Sequence, residues 1–80
     1  MIVRIDCAPA DRDPVPVRLW LGERPVEVVE IVDQWPGADH RYVKLRGGDG
    51  ALYIVRHESA RGAWELILYQ APDRLPGEAG

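Results

Sequence analysis

Side chains with catalytic or metal-binding chemistry are few and widely spaced in this chain. His40 and His57 are its only histidines, and Cys7 is its only cysteine. A structural zinc site takes about four nitrogen or sulfur ligands at short, regular spacings, and these three residues do not supply that pattern. The lone thiol also has no partner for an intrachain disulfide. The sequence therefore predicts no metal and no cofactor.

Two short motifs contain residue types that occur in enzyme sites. Residues 56–59 read Arg-His-Glu-Ser, but neighbouring residues of a strand point to opposite faces and do not converge as a triad. Residues 47–50 read Gly-Gly-Asp-Gly, but a phosphate-binding loop leads into a helix, whereas this run joins two β-like segments. We predict a hairpin turn at residues 47–50 and no enzymatic activity.

The remaining candidates are aromatic and basic side chains at alternating positions. Aromatic rings stack on nucleobases, or on the side chains of a partner, with about 1–3 kcal/mol per contact. We therefore predict a binding face with basic residues among its rings. An alternative is that the amino-terminal segment or the loop around Trp35 covers these rings as a second small core. The candidate binding residues are Arg18, Trp20, Tyr42, Lys44, Tyr53, Arg56 and Tyr69.

Charge is unevenly distributed along the 80 residues, although the net charge is only -3. Residues 40–61 contain five basic and two acidic side chains, a local charge of +3. The mild net charge gives no general attraction to nucleic acid or to acidic lipid. One interpretation is a basic surface beside an acidic one, and the other is that alternate strand positions simply face water.

Period-2 alternation and regularly spaced turn residues predict an all-β fold. Within the second full strand, Val26 and Val28 have the opposite phase to Val29 and Ile31. Either both faces of this strand are covered or, as we favour, a β-bulge or strong bend near Val28 and Val29 changes the phase. The segment 34–39 contains Pro-Gly and is predicted to be a loop. The predicted strands are residues 15–21, 26–33, 40–46, 51–57 and 63–70, with residues 2–6 as a short extra strand.

These segments predict one β-domain over residues 1–70, with a linker at 8–14 and a flexible tail at 71–80. A small antiparallel meander of five to six strands buries its concave face when it is strongly curved or rolled into an SH3-like, partly open barrel. The hydrophobic fraction of 46% is sufficient for such a core. The predicted core consists of Val15, Val17, Leu19, Val26, Val43, Leu45, Leu52, Ile54, Trp64, Leu66 and Leu68.

The amino terminus does not have the layout of a signal peptide, because its short apolar run is interrupted by Arg4 and Asp6. No segment approaches the roughly 18 apolar residues of a membrane helix. We therefore expect a cytoplasmic protein without a membrane partner.

Several of these features together resemble a small bacterial all-β domain of unknown function. Residues 19–28 resemble its opening, which contains tryptophan, glycine and valine. The run 33–35 matches its Asp-x-Trp element, and the strand 42–45 matches its tyrosine-containing strand. A glycine-to-tyrosine hairpin at 50–53 and a closing Trp-x-Leu strand at 64–69 complete the resemblance, which covers about residues 16–70.

The resemblance implies an accessory domain encoded near, or fused behind, inactive relatives of error-prone DNA polymerases. It therefore implies a setting in DNA-damage tolerance. Our leading hypothesis is a non-enzymatic module that binds another protein through its aromatic face. The alternatives are a weak single-stranded nucleic-acid-binding domain that uses the same face, and a self-associating subunit, a homodimer, whose sheet edge pairs with a copy of itself.

Overall fold

The computed structural model describes residues 1–9 and 15–72, which form six antiparallel strands and no helix. Each strand pairs with the next one in sequence, and the first also pairs with the last, so that the sheet closes into a barrel. The predicted all-β meander is confirmed, and the barrel is closed. The strands are β1 (Ile2–Ala8), β2 (Val15–Leu21), β3 (Arg24–Pro36), β4 (His40–Gly47), β5 (Leu52–Glu58) and β6 (Ala63–Gln70).

Two strands continue into segments that were predicted to be a linker and a loop. β1 continues to Ala8, the first residue of the predicted linker, and residues 10–14 of that linker lie outside the described residues. β3 continues through the predicted loop, where Trp35 pairs with Tyr42 of β4. It ends at Pro36, which has no N–H to continue a ladder. Residues 73–80 of the predicted tail also lie outside the described residues.

Four β-bulges interrupt the ladders, and each places a β-branched apolar residue out of register. The extra residues are Val17 in β2, Val29 and Val32 in β3, and Ile67 in β6. The bulge at Val29 confirms the prediction made from the phase change in that strand. A bulged residue has no cross-strand partner, and all four of these side chains are exposed.

Nine hydrophobic side chains of the described residues are buried. Each strand contributes at least one of them, and Ala51 lies just before β5. Five of the predicted core residues are buried, but Val15, Val17 and Leu68 are exposed, so those three predictions are wrong. Leu52, Ile54 and Leu66 are only half-buried. The buried residues are Val3, Leu19, Val26, Val43, Leu45, Ala51, Tyr53, Val55 and Trp64.

The bulges and the cross-strand pairing explain these corrections. The bulge at Val17 turns Pro16 inward instead, and the bulge at Ile67 turns Leu68 toward the outer face, opposite Ile54. In β5 the inward residues are Tyr53 and Val55, because they lie opposite the buried Leu45 and Val43 of β4. Paired residues on adjacent strands point to the same side of the sheet.

The hairpin between β4 and β5 is as tight as predicted. Gly50 has a φ of 85° and donates its N–H to the carbonyl of Gly47 at 2.9 Å. Gly47 has a different constraint, because a Cβ there would lie 2.6 Å from Cγ1 of Val26. Gly50 is thus required by its φ angle, and Gly47 by its close packing against the core.

Candidate interaction face

The seven predicted binding residues lie in three separate places rather than on one face. Arg18 and Trp20 project from the outside of β2, where they contact β1 and β3. Tyr53 and Tyr69 form a pair whose ring centroids are 5.3 Å apart. The structure brings together only the remaining three residues, on the outside of β4 and β5: Tyr42, Lys44 and Arg56.

The ring of Trp20 is already engaged within the chain. Its Nε1 donates a hydrogen bond of 2.9 Å to Oδ2 of Asp6, and the guanidinium of Arg4 lies 4.3 Å from the ring centroid. Arg18 is held between two carboxylates, at 2.9 Å from Glu27 and 3.7 Å from Asp6. β2 and β5 lie three strands apart in either direction around the barrel. This group is therefore on the opposite wall from Tyr42 and Arg56.

Tyr53 is a core residue, which corrects its prediction as part of an exposed face. Its side chain is 0% exposed, and its hydroxyl donates a hydrogen bond of 2.6 Å to Oδ2 of Asp49. Burial raises the pKa of Tyr53, and the neighbouring Asp49 carboxylate raises it further. Tyr69 packs against the Tyr53 ring from the end of β6 and remains 53% exposed.

A continuous outer surface is formed by five residues of β3, β4 and β5, which we term the Trp35–Tyr42 face. Trp35 and Tyr42 stack with their rings inclined by 5° and their centroids 5.6 Å apart. Tyr42 lies directly opposite Arg56, and Lys44 lies directly opposite Ile54. All five residues are exposed or half-buried. The rings, one aliphatic side chain and two cations therefore share one rigid wall.

Of the two cations of the Trp35–Tyr42 face, Arg56 is paired with a carboxylate and Lys44 is not, as far as the described residues extend. Arg56 pairs with Glu65 of β6, and just outside the face Arg46 lies 3.3 Å from Glu30. The hydrogen bonds that the Arg56 guanidinium donates to Tyr42 and Glu65 raise the pKa of Arg56, and the bond to Glu65 lowers the pKa of that carboxyl. Lys44 lies opposite Asp33 and forms no salt bridge within the described residues.

Two residues of this face were predicted to lie elsewhere. Ile54 was assigned to the core, and Trp35 was assigned to a loop because Pro36 and Gly37 follow it. The available signal was that Asp33 and Trp35 continue the alternation of β3, and that tryptophan is favoured in strands. Within the described residues, β1 is a strand of the barrel, and Trp35 stacks on Tyr42 from a strand rather than from a loop.

The two histidines and Cys7 have separate environments in the described part of the chain. His57 packs on Trp64, with ring centroids 4.5 Å apart, and Nε2 of His40 lies 3.8 Å from Glu58. Burial raises the pKa of the Cys7 thiol, which lowers its reactive thiolate fraction. Within residues 1–9 and 15–72, no group of three or more His, Cys, Asp or Glu side chains is placed to hold a metal ion.

Comparison with protein-family models, with curated proteins and with solved structures finds no match to this chain. The resemblance to the polymerase-associated domain therefore stays a prediction from sequence. Among the described residues, no helix is long and apolar enough to cross a membrane.

Proposed function

We propose that this barrel is a non-enzymatic interaction module that binds another protein through the Trp35–Tyr42 face. The observation that carries the proposal is the parallel stack of Trp35 and Tyr42 on the outside of the barrel. Such a stack offers a large, rigid contact surface that loses little side-chain entropy on binding. Tryptophan, tyrosine and arginine are also the residue types that most often dominate binding energy at protein interfaces.

The electrostatics of the wall favour a protein partner over a nucleic acid. Arg46 and Arg56 are engaged by carboxylates, so a phosphate would have to displace those carboxylates or bind beside them. Basic and acidic groups are interspersed on this side of the barrel, which suits a partner with mixed charges. The partner would cover the ring pair and Ile54, with the ion pairs at the rim of the contact.

The setting we propose is DNA-damage tolerance in a bacterial cytoplasm. Its support is the sequence resemblance of residues 16–70 to a domain associated with inactive relatives of error-prone polymerases. A protein-binding module is consistent with that setting.

A second candidate is weak binding of single-stranded nucleic acid on the same face. It is supported by the proximity of Lys44 to Tyr42, because a cation beside an exposed ring is the basic unit of non-specific single-strand binding. We rank it second because the chain as a whole carries a charge of -3.

The test is affinity capture from a bacterial cytosolic extract on immobilised chain, with the bound proteins identified by mass spectrometry. Wild type is compared with Trp35→Ala, and Trp20→Ala is the matched control because it removes a ring from the opposite wall. We expect a protein that wild type and Trp20→Ala retain and that Trp35→Ala loses. Thermal melts of all three chains establish that the variants are folded. The proposal fails if no bound protein shows this pattern.

A further inference from the structure

Exposed apolar side chains are concentrated where the first and last strands of the barrel meet. Of the ten large hydrophobic side chains exposed in the described residues, two lie at the start of β1, counting Met1 just before it, and three lie at the end of β6. The β1 group is 65–68% exposed and the β6 group 45–53% exposed. We term them the seam patch: Met1, Ile2, Ile67, Leu68 and Tyr69.

The seam beside this patch is short. β1 and β6 pair at only two positions, Ile2 with Glu65 and Val3 with Trp64. One more hydrogen bond, of 2.7 Å, runs from the N–H of Leu66 to the carbonyl of Met1. Beyond Leu66, the edge of β6 that faces away from β5 has no paired strand within the described residues. Its last residues therefore present an open strand edge.

A cleft of about 400 Å³ lies next to this open edge. It is lined by Met1, Leu21, Leu66 and Tyr69, with Tyr53, Asp49 and Arg24 completing it. An added strand along β6 would have backbone groups to pair with and an apolar cleft beside it. These are the two components of recognition by strand addition.

The absence of charge along the edge favours a second copy of the chain as the occupant. Residues 66–70 contain no ionisable group except the Tyr69 hydroxyl. The adjacent Glu65 is engaged by Arg56 and lies 3.7 Å from the Met1 ammonium. Two identical edges would therefore meet antiparallel about a two-fold axis without bringing like charges together, and each would cover the apolar side chains of the other.

The outer half of β3 offers a contrast. Its side away from β4 has no paired strand after Glu27 within the described residues. That edge carries Glu30 and Asp33 and is interrupted by two bulges. Charged residues and bulges are the usual means of blocking edge pairing. The end of β6 has a single bulge and no charge.

We infer that the chain forms a homodimer in which residues 67–70 of β6 pair antiparallel with the same residues of a second copy. The seam patch is buried in this interface. Leu68 of the patch lies opposite Ile54 of the Trp35–Tyr42 face, so the two surfaces adjoin, and the dimer is probed at Ile67, which does not belong to that face. The two proposals fail separately. A monomer that binds a protein partner would contradict only the homodimer, and a dimer that binds no other protein would contradict only the proposed function.

The test is sedimentation velocity of wild type, Ile67→Lys and Val29→Lys over a range of concentrations. Both substitutions replace an exposed, β-branched bulge residue, so they carry equal risk to folding. We expect Ile67→Lys to raise the dimer dissociation constant at least about tenfold, because each copy then places an unpaired charge in the buried apolar interface. Val29→Lys should change it by less than about twofold. Circular dichroism establishes that both variants retain the barrel.

A second measurement needs no substitution. Amide hydrogen exchange at residues 67–70 of wild type should slow as the concentration rises, while exchange in β3 should not change. A chain that is monomeric at every concentration, or a dimer that Ile67→Lys does not weaken, would overturn the inference. So would a monomer whose β6 edge is protected only when a different protein binds.

Discussion

The hydroxyl of Tyr53 donates a 2.6 Å hydrogen bond to Oδ2 of Asp49, four residues earlier in the chain. The other carboxylate oxygen of Asp49 accepts the N–H of Ala51 at 3.0 Å. One side chain thus connects the turn between β4 and β5 to the largest fully buried residue of the core. The relationship explains how a tyrosine with a polar group is accommodated inside so small a barrel.

Removing this hydroxyl should destabilise the fold without changing its shape. Tyr53→Phe keeps the buried ring and its packing on Tyr69, but it leaves Oδ2 of Asp49 without its donor. We expect a loss of about 1 kcal/mol in the free energy of unfolding, since the carboxylate remains accessible to water. Urea unfolding of wild type and variant measures the difference. Equal midpoints would show that the bond contributes nothing.

The same contact makes part of the stability depend on pH. Desolvation acts to raise the pKa of Asp49, but hydrogen bonds from Tyr53 and Ala51 outweigh it and the pKa is lowered. A carboxyl whose pKa is lower in the folded state stabilises the fold above its unfolded pKa of about 3.9, and this contribution is lost as the pH falls through the folded value. The stability difference between wild type and Asp49→Asn should therefore shrink on acidification. A difference that is constant from pH 7 to about pH 2.5 would contradict this assignment.

The turn glycines should differ in their tolerance of alanine. Gly47→Ala brings a Cβ to 2.6 Å from Val26, and Gly50→Ala forces a side chain to a φ of 85°. Each should cost more than about 1 kcal/mol. Gly48 has neither constraint, because its nearest neighbour is 3.7 Å from an added Cβ. Gly48→Ala is therefore the matched control and should unfold close to wild type in thermal or urea melts.

Much of the fold is predictable from the sequence for physical reasons. The positive φ of a tight turn, as at Gly50, favours glycine, so glycine-rich runs mark turns. Alternation of the kind seen in residues 40–46 specifies a strand with one buried face. The phase change between Val28 and Val29 has no explanation other than a bulge or two covered faces. In each case the signal is local, so a single segment is sufficient to read it.

The candidate site was less predictable because its geometry depends on contacts between strands. In β5 both phases are apolar, and only pairing with Val43 and Leu45 decides that Tyr53 points inward. The bulge at Val17 leaves no local mark, because the alternation around it appears regular. Trp35 was assigned to a loop because the proline that ends β3 looked like the start of one.

Trp64 should be the most costly residue to truncate. It is 6% exposed, packs on His57 and sits at the short seam opposite Val3. Trp64→Ala removes this contact as well as core volume, so we expect a loss of about 3–5 kcal/mol, a large share of the stability of a small domain. Thermal unfolding followed by circular dichroism measures it. A variant that melts like wild type would show that the seam does not depend on this ring.

Single-stranded DNA distinguishes the two candidate functions of the Trp35–Tyr42 face. Lys44 is the cation without a salt bridge in the described part of the face, and Arg56 must leave Glu65 to contact a phosphate. With about one to three phosphate contacts, the logarithm of the binding constant should fall with the logarithm of salt with a slope of about -1 to -2. We expect weak binding at about 20 mM salt and its loss at about 150 mM. Titration of labelled single-stranded DNA at both salt concentrations measures this, with Lys44→Ala as the variant that should flatten the slope. Tight binding that persists at the higher salt concentration would make nucleic acid, rather than protein, the partner of this face.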